Sequence, residues 1–305
     1  MASIAAEPTS PVFVMRQRTR AQSLLATARR KPVGAIAGGI CILMILVAVF
    51  ADVLAPHEPG KVGFSRLQAP SAEHPFGTDN LFRDQFSRII VGARISLGIG
   101  FGAVAIGTVM GTVLGLLSGY FRGWVDLWVS RLIDVVLGFP PLVLALFFLS
   151  IFKTTQGYSL ESFFWVSLAI GIIITPTTAR IVRGSVLSIR NLQYIEAAEA
   201  MGNSASRIMF RHVLPNVVAP IIVIASIQIG NAILAEAALS FLGQGIADDA
   251  HPSWGKMLQD TRQFWQTAWW VSVVPGAAIS IAVLSFNLFG DALRDVLDPR
   301  LRSSS

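Results

Sequence analysis

Six long apolar stretches, separated by polar ones, set the plan of this chain. They cover residues 33–51, 95–121, roughly 127–152, 162–179, 217–242 and 267–290. At about 1.5 Å of rise per helical residue, stretches of this length match a bilayer core of ~30 Å. In lipid, each backbone N–H and C=O must be satisfied within its own segment, so such stretches predict helices. The expected fold is all-α: a polytopic bundle of six transmembrane helices. The third stretch carries Arg131 and Asp134 near its start, and Phe139-Pro140-Pro141 in its middle predicts a kink or a break. Pro176 and Pro275-Gly276 predict further bends. Gly107, Gly111, Gly115 and Gly119 recur at four-residue spacing, which predicts a groove where a neighbouring helix can approach closely.

The polar segments divide the chain further. Residues 1–32 form a basic tail with Arg16, Arg18, Arg20, Arg29, Arg30 and Lys31. It reads either as a partner-binding arm or as a solvated, lipid-surface tail that fixes orientation. Residues 33–54 are expected to be the first, uncleaved membrane helix. Residues 55–94 form a polar segment rich in Pro and Gly. Within it Phe82, Phe86, Ile89 and Ile90 fall near helical spacing, predicting an interfacial amphipathic helix. Residues 95–302 hold the remaining five spans and, at 185–216, a long polar loop. Trp269-Trp270 open the last span as an expected interfacial anchor.

The polar loop has a definite internal pattern between Tyr194 and Pro215. Glu196 to Met201 are strong helix formers. Gly202 permits a turn that other residues resist. Ser204 can cap a second helix, expected over 204–213 and stopped by Pro215. A helix, a bend and a helix outside the bilayer are predicted.

Glu196-Ala197-Ala198, Gly202 and Leu214-Pro215 stand at the spacing of the cytoplasmic loop of ABC-importer permeases, which this stretch resembles. His212 takes the place where the general pattern has Ile. The run Phe210-Arg211-His212-Val213-Leu214-Pro215-Asn216 is similar to the dipeptide/oligopeptide branch, and so are Leu239-Ser240-Phe241-Leu242-Gly243 and the region before Leu97. That branch usually has Gly where Phe82 stands, between Leu81 and Arg83-Asp84. The resemblance covers nearly everything after the tail. It implies a type I importer fold, two ATP-binding subunits, a second homologous permease subunit and an extracytoplasmic solute-binding protein. ATP and Mg would sit on the partner subunits, with no cofactor on this chain. Glu196, Ala197, Ala198, Gly202, Leu214 and Pro215 would form the ATPase-coupling loop.

Composition agrees with this picture. The chain of 305 residues is 53% hydrophobic and 14% charged, too apolar for an ordinary soluble domain. Cys41, the single cysteine, excludes a disulfide framework and reads as a packed small hydrophobe. The net charge of +6 is spread over loops and tails, which suits membrane orientation rather than nucleic acid. With the N-terminus inside, the inner segments hold fifteen Lys and Arg and the outer segments eight. That excess favours both termini and the 185–216 loop on the cytoplasmic side, and the resemblance implies that the membrane is a bacterial inner membrane.

Catalytic patterns are missing. Gly60-Lys61 and Gly255-Lys256 lack the rest of a phosphate-binding loop, and His57, His74, His212 and His251 form no zinc motif. No Gly-x-Ser-x-Gly turn occurs, so a non-catalytic membrane subunit is expected. Gln228, Asn231 and Glu236 on the fifth span read either as part of a translocation path or as bonds between helices. Arg131 and Asp134 share a helix face and read as a functional site or a structural pair. Three solute classes stay open on the residues alone: di- or oligopeptides, glutathione, and nickel chelates or opine-like compounds. An ion-coupled secondary carrier would call for inverted repeats, which the chain does not display, and a passive membrane scaffold leaves the Tyr194 loop unexplained.

Overall fold

The computed structural model describes residues 31–152 and 157–297, and the arginines of the basic tail, Lys153, Arg300 and Arg302 lie outside them. Among the described residues no strand occurs, and five helices are long and apolar enough to cross a membrane. A sixth span is a bent pair. These are α1 (Pro32–Val49), α3 (Gln85–Phe121), α6 (Leu160–Arg190), the continuous stretch Ala205–Phe241, and α11 (Trp270–Leu297). The bent pair is α4 (Gly123–Leu137) and α5 (Pro141–Ile151), whose axes differ by 94°. Pro140 and Pro141 thus break the third span outright: the ring removes a donor and collides with the preceding turn.

Several boundaries differ from the sequence reading. The first helix is interrupted at Phe50, and a single turn, α2 (Ala51–Leu54), follows. No separate interfacial helix precedes the second span. Residues 85–94 are the first turns of α3 itself, started by Asp84, whose side chain accepts from the Ser87 amide. Ile90 is buried against Ala51 and Val91 instead of lying on a lipid surface. The fourth span runs on to Arg190 and carries Arg180 and Arg183 in its last turns.

The α3–α6 pair is the spine of the bundle. A Cβ on Gly107 would lie 2.7 Å from the Gly171 carbonyl; on Gly111, 2.8 Å from that of Thr175; on Gly115, 2.7 Å from that of Ala179. The glycine stripe therefore lets two backbones touch, as its spacing predicts. Ile95, Ile99, Ala103, Val166, Ile170 and Ile174 extend this contact into a core shared with Ala232 and Leu239 of the fifth span.

The end of the bundle opposite the 193–216 loop is a cap built from residues 55–84 and 243–269. Arg83 is buried and donates to Asp79 at 2.7 Å and to Asp249. Arg88 reaches the Pro59 and Asp249 carbonyls at 2.9 and 3.1 Å, joining the two segments. Trp269 is exposed, but Trp270 is not an interfacial anchor. It is buried, and its indole N–H donates to the Thr78 carbonyl 3.3 Å away. Phe82 adopts φ 62°, the left-handed region that favours Gly. The related branch's Gly at this place has a backbone reason.

Candidate functional site: the 193–216 loop

Residues 193–200 form α7 (Gln193–Ala200). Its C-terminus is closed by the Asn203 amide donating to the Ala198 carbonyl at 3.2 Å, with Gly202 at φ +78°. This is the left-handed glycine cap, and it turns the chain sharply away from the helix axis. Ser204 then accepts from the Arg207 amide and starts α8 (Ala205–Ile208). The helix, bend and helix of the sequence reading are present.

Pro215 does not stop the second helix. Met209–Val213 is a π turn, in which the Leu214 amide donates to Met209, and α9 (Leu214–Phe241) follows without a gap. Pro215 has no N–H to offer the carbonyl four residues back, and its ring crowds that carbonyl. The turn widens to accommodate it, and the helix continues. The second half of the loop is thus a direct extension of the fifth span.

One face of this unit is buried in its own bundle. Ile195 and Ala198 pack with Leu116 and Tyr120 of α3, Val182 and Val186 of α6, and Ile208, Val213 and Val217. Ala198, expected on the docking face, is 2% exposed and belongs to this inner layer. Glu196, Ala197, Glu199, Ala200 and Met201 are all exposed, Met201 to 75%. Glu196 lies in the first turn of α7, where a carboxylate suits the positive end of the helix dipole. Leu214 is half-buried and Pro215 exposed.

Polar ties hold the loop to the spans. Asn216 Nδ2 donates to the His212 carbonyl at 2.6 Å and approaches Tyr194 Oη at 3.5 Å. Arg122 Nη2 donates to Asn191 Oδ1 at 2.7 Å. Asp126 on α4 is gripped by Arg183 on α6. Asp134 pairs with Arg180 at 2.7 Å and not with Arg131, which has no ion partner among the described residues. Apart from the local Asn216–His212 bond, these ties join residues far apart in the chain, so a single sequence does not display them.

The three polar residues of the fifth span have different fates. Asn231 is exposed and donates to Gln228, itself 6% exposed, at 2.8 Å. Glu236 is not on an open surface. It is 1% exposed and accepts from Ser240 Oγ at 2.7 Å. Ser253 bonds to the same Ser240, and the adjacent Trp254 amide donates to Ser96. Glu236 therefore belongs to a bracket that seats α10 (Trp254–Thr261) against α3 and α9. Only Oε1 takes this bond; Oε2 of Glu236 is buried without a hydrogen-bond partner among the described residues.

Residues 111–303 match the family model described as "Binding-protein-dependent transport system inner membrane component". The chain belongs to this family. The permease is 47% identical over 271 residues to the dipeptide transport system permease protein DppC of Alkalihalophilus pseudofirmus, covering 88% of this chain and 86% of that one. It is 44% identical to DppC of Escherichia coli K12, covering 88% and 90%. To the glutathione transport system permease protein GsiD of Salmonella paratyphi A it is 42% identical, covering 90% and 88%. Among solved structures, the inward-facing MetNI methionine ABC transporter matches with a TM-score of 0.57 at 19% identity, over 69% of this chain and 96% of that one. That likeness speaks to the fold, which is that of type I ABC importer permeases. The chain is a membrane-embedded permease subunit of an ABC importer.

Proposed function

We propose that this permease carries dipeptides or short peptides inward across the bacterial inner membrane. It works beside a second, homologous permease subunit, receives solute from an extracytoplasmic binding protein, and draws its energy from two ATP-binding subunits. Both termini and the coupling loop face the cytoplasm, as the Lys and Arg excess favours. The observation that carries the reading is α7 with its cap at Gly202: a short helix fixed on its inner face, bare on its outer face, and joined without slack to two spans.

The mechanism follows from that connectivity. The outer face, Glu196, Ala197, Ala200 and Met201, docks in a groove of an ATP-binding subunit. Small side chains allow close approach, and Glu196 supplies a charged contact at the helix start. When the two ATP-binding subunits close on nucleotide, α7 is displaced. Because α6 ends three residues before α7 and α9 continues α8 through the π turn, both spans must tilt with it. Tilting alternates access between the two sides. Gln228 and Asn231, with Asn231 exposed, are the polar groups offered to solute on the fifth span.

The peptide assignment draws on the DppC relatives, and the GsiD relative supports glutathione as the second reading. Liposomes holding the complete complex and its binding protein distinguish them. ATP-dependent uptake of labelled alanyl-alanine, blocked by Gly202→Asp at normal protein level, is the expected result. Uptake of glutathione but not of alanyl-alanine would replace the peptide reading. Undiminished uptake in Gly202→Asp would overturn the lever.

A further inference from the structure

Glu199 lies on α7 beside the docking face; its side chain is 44% exposed, and its carboxylate reaches back to the spans. Its carboxylate accepts from Tyr120 Oη at 3.3 Å, near the cytoplasmic end of α3. It also lies 4.0 Å from Arg190 Nη2, at the end of α6. Arg190 in turn covers the Tyr120 ring, 4.9 Å from its centroid, and donates to the Tyr120 backbone carbonyl. Tyr120 is 5% exposed and sits in the apolar layer beneath α7. Three helices thus meet at one polar junction.

The junction does something that chain continuity cannot. Helices α6 and α9 are covalently joined to the loop, but α3 is not. Apolar contact through Ile195 and Ala198 holds α7 close yet is non-directional, so it resists sliding poorly. A hydrogen bond and an ion pair fix direction. These two directional contacts, added to the packing of the Tyr120 ring beneath α7, hold the junction together when the loop moves. We propose that Glu199 is a positioning residue for energy coupling, making the cytoplasmic ends of α3 and α6 follow α7 when an ATP-binding partner displaces it. The proposal rests on the importer mechanism above and adds to it a residue outside the docking face and a helix remote in sequence.

The test uses the complete complex in liposomes with E199A, E199Q, Y120F and E199A/Y120F. Two quantities are read: alanyl-alanine taken up per ATP hydrolysed, and maleimide labelling of an Asn231→Cys site in a Cys41→Ser background, with and without ATP and vanadate. E199A is expected to assemble and to hydrolyse ATP within about twofold of the parent, while uptake per ATP falls roughly three- to tenfold. Its labelling should lose most of its response to nucleotide. E199Q keeps an acceptor for Tyr120 and should retain more than half of the parental ratio. The double variant should be no worse than E199A, since both break one junction. An unchanged ratio in E199A overturns the proposal, as does a parallel fall of uptake and hydrolysis with loss of the assembled complex. A parent that ignores alanyl-alanine sinks the peptide reading alone. The labelling still decides the junction, and an E199A response equal to the parent's rejects it.

Discussion

Arg183 and Asp126 meet end to end, Nε on Oδ1 and Nη2 on Oδ2, each at 2.6 Å. This two-pronged pair fastens the broken third span to the long helix that leads into the coupling loop. Asp126 also accepts from Ser118 of α3 and from Ser130, so one carboxylate serves three helices. Asp126→Ala should lower stability in mild detergent by about 2 kcal/mol, because it strands charged and hydroxyl donors together. Exchanging the two residues, Asp126→Arg with Arg183→Asp, should recover part of that loss. Thermal unfolding of the purified subunit checks both, and two additive losses would show that the pair is not coupled.

The glycine stripe predicts a steep steric penalty. A Cβ on Gly115 would stand 2.7 Å from both the Ala179 carbonyl and the Val182 Cβ, on the face where α3 and α6 touch. Gly115→Leu should cost more than about 3 kcal/mol and cut the amount of folded protein sharply. Gly39→Leu on α1, where a Cβ meets nothing within 4 Å, should change stability by less than about 0.5 kcal/mol. Equal yields of the two variants would contradict the packing described for the spine.

Phe82 offers the opposite case, a substitution that should stabilise. Its φ of 62° is strained for an L side chain, and the residue is 45% exposed, so it contributes little packing in return. Phe82→Gly should gain about 0.5–1 kcal/mol, the relief of strain outweighing the added freedom of the unfolded chain. Asn should fall between the two. A higher midpoint in thermal unfolding is the expected sign, and a loss would mean that the Phe82 side chain is held by a partner.

Acid should weaken the cap over 55–84 and 243–269 through Asp84. Burial alone would raise this carboxyl, but the Ser87 hydroxyl and amide, together with His74, outweigh burial and hold it below the usual carboxylate range. Its folded pKa is therefore depressed. The stabilisation it gives is present above the unfolded value, near 3.9, and is lost as pH falls through the folded value. Asp84→Asn should lower stability at pH 7 and flatten the decline below about pH 4. Parallel pH profiles for the parent and the variant would place the acid sensitivity elsewhere in the molecule.

The apolar middles of the spans could be read directly, because lipid demands a long stretch without charge, but their polar ends could not: α3 begins at Gln85 and α6 runs on to Arg190. The Gly202 bend was equally legible, since a left-handed residue closing a helix is a local requirement with a local solution. The glycine stripe predicted a close approach, though not which helix would make it.

Pro215 shows where local rules fail. Its missing N–H is a fact of the sequence, but whether the helix stops or widens depends on what Val213 and Val217 gain by staying buried beneath α7. The same holds for Asp134. Its helix neighbour Arg131 was the obvious partner, and the fold brought Arg180 to it instead. Glu236 and Glu199 are both carboxylates on helices, one enclosed by serines and the other joined to Tyr120, and nothing adjacent to either in the chain tells them apart. The sequence by itself determined the apolar helices, the short helix over 193–200 and its bend, because each follows from hydrophobicity, propensity or a single backbone angle. Only the tertiary structure decided which side chains meet, because pairing across helices depends on distances that no one segment encodes.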